Sequence, residues 1–166
     1  ITTLAFSSDN MRLVSGAHDA KVIIWDVSSA TRLDELTDHT TTVTAAIWVE
    51  VAAESRADKS AAAARGGAPK ARRKGPRTLL SASLDSSLIL WQEKLRTGAS
   101  SRGAETKYES IWSKDWMPSP ILALAFNAEI RVVAAGHADG EIELWDARAP
   151  ALGLIDMLVF PAHKFT

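Results

Sequence analysis

Short apolar segments separated by polar turn residues recur along the whole chain. The segments are rich in Val, Ile, Leu and aromatic residues and are bounded by Ser, Asp, Asn and Gly. This pattern is typical of short β-strands in an antiparallel meander. In the first unit the predicted strands, named A to D, span residues 1–6, 12–16, 21–25 and 32–36.

The predicted strands are apolar on both faces. Successive side chains of a strand point to opposite faces, so Val22 and Ile24 share one face while Ile23 and Trp25 share the other. A sheet with two apolar faces needs a neighbouring sheet on each side. The pattern therefore predicts stacked sheets rather than a single sheet with one solvated face.

The same pattern occurs three times. The segments SGAHDAKVIIWD from Ser15, SASLDSSLILWQ from Ser81 and AGHADGEIELWD from Ala135 align without gaps. Each is preceded by a matching strand A block: ITTLAF, VTAAIW or ILALAF. The chain is therefore predicted to be a repeat protein with three units of four strands.

These residues resemble the WD-repeat β-propeller family over nearly the whole chain. Trp25-Asp26 and Trp145-Asp146 each end strand C, whereas the middle unit departs with Trp91-Gln92. An aspartate stands six residues before each Trp, as in the family pattern. The resemblance implies an all-β fold: a partial propeller of about three blades, truncated at both ends, since closed propellers have 4–8 blades.

The resemblance also implies a hydrogen-bonded tetrad in each blade, made by a loop His, a strand B Ser, a turn Asp and a strand C Trp. Such buried polar groups are stable only when they satisfy one another, and we expect a structural rather than a catalytic role. The middle blade has His39, Ser81 (or Ser83, on the same face), Asp85 and Trp91. The first has Ser15, Asp19 and Trp25; the third has Asp139 and Trp145, with Ala135 replacing Ser and Asp115-Trp116-Met117 replacing the loop His.

The spacing of the repeats predicts two insertions. Successive strand C Trp residues lie 66 and 54 positions apart, against about 40–45 for this architecture. The excess falls in an Ala-rich basic segment, 51–77, and in a loop at 95–106, both expected to be solvated. The predicted blades of this single domain are about 1–37, 38–113 and 114–162, with residues 163–166 beginning a hand-off to a fourth unit.

Composition excludes several classes of protein. The 166 residues are 46% hydrophobic with a net charge of −1 and no cysteine, which excludes disulfide frameworks, thiolate metal sites and cysteine nucleophiles. No apolar run approaches the roughly 18 residues of a membrane helix, and no membrane association is expected. The chain begins inside a predicted strand without Met, so we expect a preceding segment. The absence of cysteine fits an intracellular protein, cytoplasmic or nuclear.

The basic insertion allows three interpretations. Segment 51–77 carries eight Lys/Arg and two acidic residues, whereas the remainder of the chain is acidic. The run could keep an Ala-rich loop soluble, serve as a nuclear import signal, or tether RNA phosphates without base recognition. The candidate residues are Lys70, Arg72, Arg73, Lys74 and Arg77.

The order of strands predicts a protein-docking face. Both insertions leave from one face of the blades, so the opposite face carries the short B–C turns and the D–A loops. We expect this second face to bind other proteins, although Trp116 could instead fill the space of the missing His. The candidate binding residues are Trp116, Met117, Leu84 and His18.

No enzyme motif accompanies the repeats. The chain has no nucleophile elbow, phosphate loop or dinucleotide fingerprint, and His18 and His137 do not recur in the other repeats. We therefore expect no catalysis, cofactor or metal. The predicted function is a protein-interaction scaffold whose partners are other proteins and further propeller blades. The alternative is a nuclear or nucleolar subunit of an RNA-processing or ribosome-biogenesis assembly.

Overall fold

The computed structural model describes residues 1–49, 77–96, 105–115, 117–148, 153–154 and 160–161, which form strands and turns. The first sheet, blade 1, has the strands β1 (Thr3–Phe6), β2 (Arg12–Gly16), β3 (Val22–Asp26) and β4 (Thr31–Leu36). Blade 2 has β5 (Val43–Val49), β6 (Thr78–Ser83), β7 (Leu88–Arg96) and β8 (Glu105–Lys114). Blade 3 has β9 (Ile121–Asn127), β10 (Val132–His137), β11 (Glu141–Asp146), β12 (Gly153–Leu154) and β13 (Phe160–Pro161).

The strands of each blade pair in chain order and antiparallel, as the sequence pattern predicts. Blades 1 and 2 are four-stranded meanders, and in blade 3 the two short strands β12 and β13 both pair with β11. The predicted all-β fold, a partial β-propeller of three blades, is confirmed. None of the described residues lies in a helix that is long and apolar enough to cross a membrane.

The hairpin between β7 and β8 is longer than predicted. Leu95 pairs with Thr106 and Arg96 with Glu105, so the ends of the predicted loop 95–106 belong to strands. The sequence did not predict this extension, because residues 93–96 and 105–107 are mostly charged or polar and lack the apolar alternation that marks a strand.

The middle blade is buried on both faces. Val14, Val22 and Ile24 of blade 1 form one apolar cluster with Leu79 and Trp91 of blade 2. The opposite face of blade 2 forms the second cluster with blade 3, in which Leu80, Leu88 and Leu90 meet Val133 and Trp145.

The free face of blade 1 is open in these three blades. Leu4 and Phe6 are 58% and 60% exposed, whereas Thr3 and Ala5, which alternate with them along the strand, contact blade 2. The prediction of two buried faces therefore holds for blade 2, which has a neighbour on each side.

The innermost strands lock adjacent blades together. The hydroxyl of Thr2 donates to the carbonyl of Val43 at 2.5 Å, and the equivalent hydroxyl of Thr44 donates to the carbonyl of Ile121 at 2.6 Å. At the first of these junctions the backbone of Gly16 leaves no room for a side chain, because a Cβ there would lie 2.6 Å from Val43. The repeat therefore uses one type of contact at both junctions, with a closer backbone approach at the first.

Candidate functional site

The tetrad of blade 2 is complete. The indole N–H of Trp91 donates to Ser81 Oγ at 2.8 Å, and Ser81 Oγ lies 2.8 Å from His39 Nε2. His39 Nδ1 lies 2.8 Å from Ser87 Oγ, which donates to Asp85 Oδ1 at 2.5 Å. Ser81, rather than Ser83, is thus the tetrad serine. Ser87 is a fifth member that the family pattern did not indicate.

The geometry determines the direction of each hydrogen bond. Because the Ser87 hydroxyl donates its hydrogen bond to Asp85, His39 Nδ1 must donate to Ser87 Oγ. Because Ser81 already accepts from Trp91, its own proton is free to be donated to His39 Nε2. His39 is thus neutral with its proton on Nδ1, in agreement with burial, which lowers its pKa despite the nearby Asp85 carboxylate.

Asp85 is the terminal acceptor of this chain of hydrogen bonds. It also accepts from the backbone N–H of Thr40 at 2.8 Å and of Ser87 at 2.9 Å. Desolvation raises the Asp85 pKa, but these hydrogen bonds and the Ser87 hydroxyl outweigh it and lower the pKa to about 2. The tetrad thereby ties the D–A loop to the B–C turn of the same blade.

Blade 1 has the strand part of the same network. The indole N–H of Trp25 donates to Ser15 Oγ at 2.9 Å. Asp19 closes the B–C turn by accepting from the backbone N–H of Lys21 at 3.2 Å. These three predicted residues occupy the places of Trp91, Ser81 and Asp85.

The tetrad of blade 3 is lost. Trp145 Nε1 is buried with no hydrogen-bond partner among the described residues, because Ala135 stands where Ser81 stands in blade 2. Asp139 accepts from the backbone N–H of Glu141 at 3.1 Å, a turn contact like that of Asp19. Met117 occupies the register of the loop His.

A different polar pair is buried in blade 3. His137 Nδ1 lies 3.0 Å from the carbonyl oxygen of Ser119, and His137 Nε2 lies 3.5 Å from Glu143 Oε2. The side chains of His137 and Glu143 are 3% and 6% exposed. The apolar residues Ile23 and Ile89 occupy the position of Glu143 in the other blades. A charged residue at this apolar position could have indicated the buried pair from the sequence.

The B–C turns and D–A loops form one continuous surface, here called the turn face. His18 Nδ1 lies 3.1 Å from the hydroxyl of Thr42, and the carbonyl of Thr42 accepts from the backbone N–H of Leu84 at 3.0 Å. At the next junction the backbone N–H of Met117 donates to the carbonyl of Ser86, and the backbone N–H of Ala138 donates to the carbonyl of Pro120, as Leu84 does to Thr42. Turns and loops of successive blades therefore interlock on the side opposite to the strand ends at Val49, Thr78, Arg96 and Glu105.

The structure distributes the predicted docking residues differently. Leu84 is 44% exposed, and His18 is exposed beside it. The prediction that Met117 binds a partner is wrong. Met117 is 5% exposed and lies in the core between blades 2 and 3, where it fills the space of the missing His. Trp116 lies outside the described residues.

Arg77 is held between blades. Its guanidinium lies 2.7 Å from Asp9 Oδ2 in blade 1 and 3.0 Å from Glu93 Oε1 in blade 2. Arg77 is thus an inter-blade clamp, which corrects its prediction as part of a free basic tether. The other four residues of that prediction, Lys70, Arg72, Arg73 and Lys74, lie outside the described residues.

No group of three or more His, Cys, Asp or Glu side chains within the described ranges is placed to hold a metal ion. The polar groups of the tetrads hydrogen-bond to one another, and these bonds hold the turn face rigid.

Comparison with known proteins gives matches to a family model and to solved structures. Residues 1–26 match the model of the WD domain, G-beta repeat. A chain of the mitotic checkpoint complex is 20% identical with a TM-score of 0.62, covering 98% of this chain and 41% of its own length. The computationally designed Ika8 protein (24% identity, TM-score 0.58) is matched over 99% of this chain and 37% of its own. The computationally designed Ika4 protein (25% identity, TM-score 0.58) is matched over 98% of this chain and 74% of its own.

The chain spans less than half the length of the first two of these structures. The comparison with curated proteins finds no match.

Proposed function

Because the chain is a series of three WD-repeat β-propeller blades, we propose that it is a non-catalytic scaffold that binds other proteins through its turn face. The observation that carries the proposal is the interlocked surface on which Leu84 is exposed. Loops that are already fixed by hydrogen bonds lose little conformational entropy when a partner binds. An exposed apolar side chain on such a surface is a natural contact point.

Charge supports a basic partner segment. The B–C turns and D–A loops of the turn face carry four exposed aspartates besides Leu84: Asp19, Asp38, Asp115 and Asp139. The lysines at its edge have other contacts, since Lys21 pairs with Glu35 at 2.5 Å and Lys114 lies 4.6 Å from the centre of the Trp145 ring. Carboxylates around an apolar contact favour a partner that presents Lys or Arg beside an apolar side chain.

The same charge argues against nucleic acid on this face, because carboxylates repel phosphates. The alternative role in an RNA-processing assembly rests on the basic residues of segment 51–77 and stays a hypothesis. A separate experiment tests this alternative, because the RNA-processing role requires segment 51–77 and the scaffold role requires the turn face.

The experiment compares two charge substitutions of matched exposure in the intact protein. Leu84→Lys lies on the turn face, where its charge opposes a basic partner, and Met11→Lys, 48% exposed on the opposite side, is the control. Partners are isolated by affinity purification and counted by quantitative mass spectrometry, with thermal unfolding measured alongside. We expect Leu84→Lys to lose partners at unchanged stability, and Met11→Lys to keep them.

Trp116→Ala is a second variant for the same assay. Truncation of a Trp at an interface centre costs about 2 kcal/mol or more of binding free energy, roughly thirty-fold in affinity. Loss of stability with retention of partners would instead make Trp116 a structural residue. Loss of partners in the Met11 variant alone would move the interface to the opposite face.

A further inference from the structure

We infer that the junction between blades 2 and 3 binds a single water molecule between His137, Glu143 and Trp145. Three buried polar atoms of blade 3 have no partner among the described residues: His137 Nε2, Glu143 Oε2 and Trp145 Nε1. Unpaired buried polar groups are costly, and one water molecule commonly makes about three hydrogen bonds to such groups.

Comparison with blade 2 places the three atoms together. Trp91 donates to Ser81 Oγ there, and Ala135 takes the place of Ser81 in blade 3. Ala135 pairs directly across the strands with Glu143, which is two residues from Trp145 on the same face. By this comparison the indole N–H of Trp145 is directed toward Ala135, whose partner across the strands is Glu143.

The donor and acceptor pattern identifies the ligand. Because the carbonyl of Ser119 only accepts, His137 Nδ1 carries a proton and donates to it, so an imidazole with a single proton has Nε2 as an acceptor. Glu143 Oε2 is also an acceptor and lies 3.5 Å away, so these two atoms do not hydrogen-bond to each other. The indole N–H of Trp145 is a donor that needs an acceptor.

The ligand must therefore donate two hydrogen bonds and accept one. A water molecule does this. A metal cation or an ammonium ion accepts nothing from the indole N–H, and the carboxylate repels an anion. The water oxygen takes the place of the serine hydroxyl and restores the link between the two central strands of blade 3.

The first test is made on the unaltered protein. In a protein labelled with ¹⁵N at tryptophan, the indole proton of Trp145 should show a direct cross-relaxation peak to a long-lived water molecule. A crystal structure at high resolution should show that water within about 3.2 Å of all three atoms. The absence of both signals, or a direct His137–Glu143 hydrogen bond in their place, would overturn the inference.

The second test displaces the water. Ala135→Ser supplies the hydroxyl found in blades 1 and 2, so the cross-relaxation peak should disappear. Because a serine hydroxyl donates only one of the two hydrogen bonds that the water donates, the melting temperature should not rise. Ala134→Ser is the control, because Ala134 pairs with Leu144 on the other face of the sheet. The water peak should survive in this control. Survival of the peak in Ala135→Ser would contradict the assigned position.

Discussion

Removal of the Asp85 carboxylate is the most direct test of the tetrad. Asp85 accepts hydrogen bonds from the backbone N–H groups of Thr40 and Ser87 and from the Ser87 hydroxyl. In Asp85→Ala these donors lose their partner, and the hydrogen bond from His39 Nδ1 to Ser87 loses the acceptor that orients it. Within the described residues, the corresponding Asp139 accepts one backbone hydrogen bond in its turn, from Glu141.

The expected cost follows from this difference. A hydrogen bond to a charged group contributes about 1.5–3 kcal/mol, and bonds that share one acceptor are not additive. We expect Asp85→Ala to lower the free energy of unfolding by about 3 kcal/mol, and Asp139→Ala by about 1 kcal/mol. Urea unfolding of the two variants in the intact protein measures both values under the same conditions.

The pH dependence gives an independent check. The pKa of Asp85 is lowered from 3.8 to about 2 in the folded protein. Its contribution is therefore complete above pH 3.8 and is lost as the pH falls toward 2, by about 1 kcal/mol after solvent screening. His39 also has a lowered pKa, because it is buried and neutral. Stability should thus begin to fall as the pH drops below 6.5, and this part of the loss should disappear in His39→Gln.

A double-mutant cycle tests the hydrogen bond between Ser87 and Asp85. If the Ser87 hydroxyl donates a hydrogen bond to Asp85, the effects of Ser87→Ala and Asp85→Ala on the free energy of unfolding should be coupled by about 1 kcal/mol or more. Equal destabilisation by Asp85→Ala and Asp139→Ala, together with additive effects in the cycle, would refute the argument.

Three further outcomes follow from the contacts. Gly16→Ala should cost about 1–3 kcal/mol of unfolding free energy through overpacking, whereas Gly136→Ala should be tolerated because its new Cβ meets nothing closer than 3.9 Å; equal melting temperatures would contradict this. Arg77→Met should destabilise the protein by about 2–4 kcal/mol, because Glu93, with its side chain 8% exposed, loses its partner, and Arg77→Lys should recover part of the loss in thermal unfolding. Replacement of 51–76 by Asn-Gly should change the unfolding free energy by less than about 1 kcal/mol; a larger loss in urea unfolding would mean that the segment packs.

The repeat, the strand order and two of the tetrad contacts could be predicted from the sequence alone. These features are local or periodic: alternation of apolar residues defines a strand, and six residues separate each turn Asp from its Trp. The bonds from Trp91 and Trp25 to their serines could be predicted because a register shared by two repeats places the same atoms together.

Where the repeat is interrupted, the position and partners of a side chain depend on tertiary contacts. Met117 reads as an exposed loop residue, yet the missing His leaves an apolar space between two blades that Met117 fills. Arg77 reads as the end of a basic run, yet Asp9, 68 residues away, pairs with it. Glu143, a charged residue in an apolar register, and His137 become a buried pair when blade 2 covers them. Contacts between distant residues depend on which faces are covered and by what, and the periodic pattern carries no information on that at positions where it is interrupted.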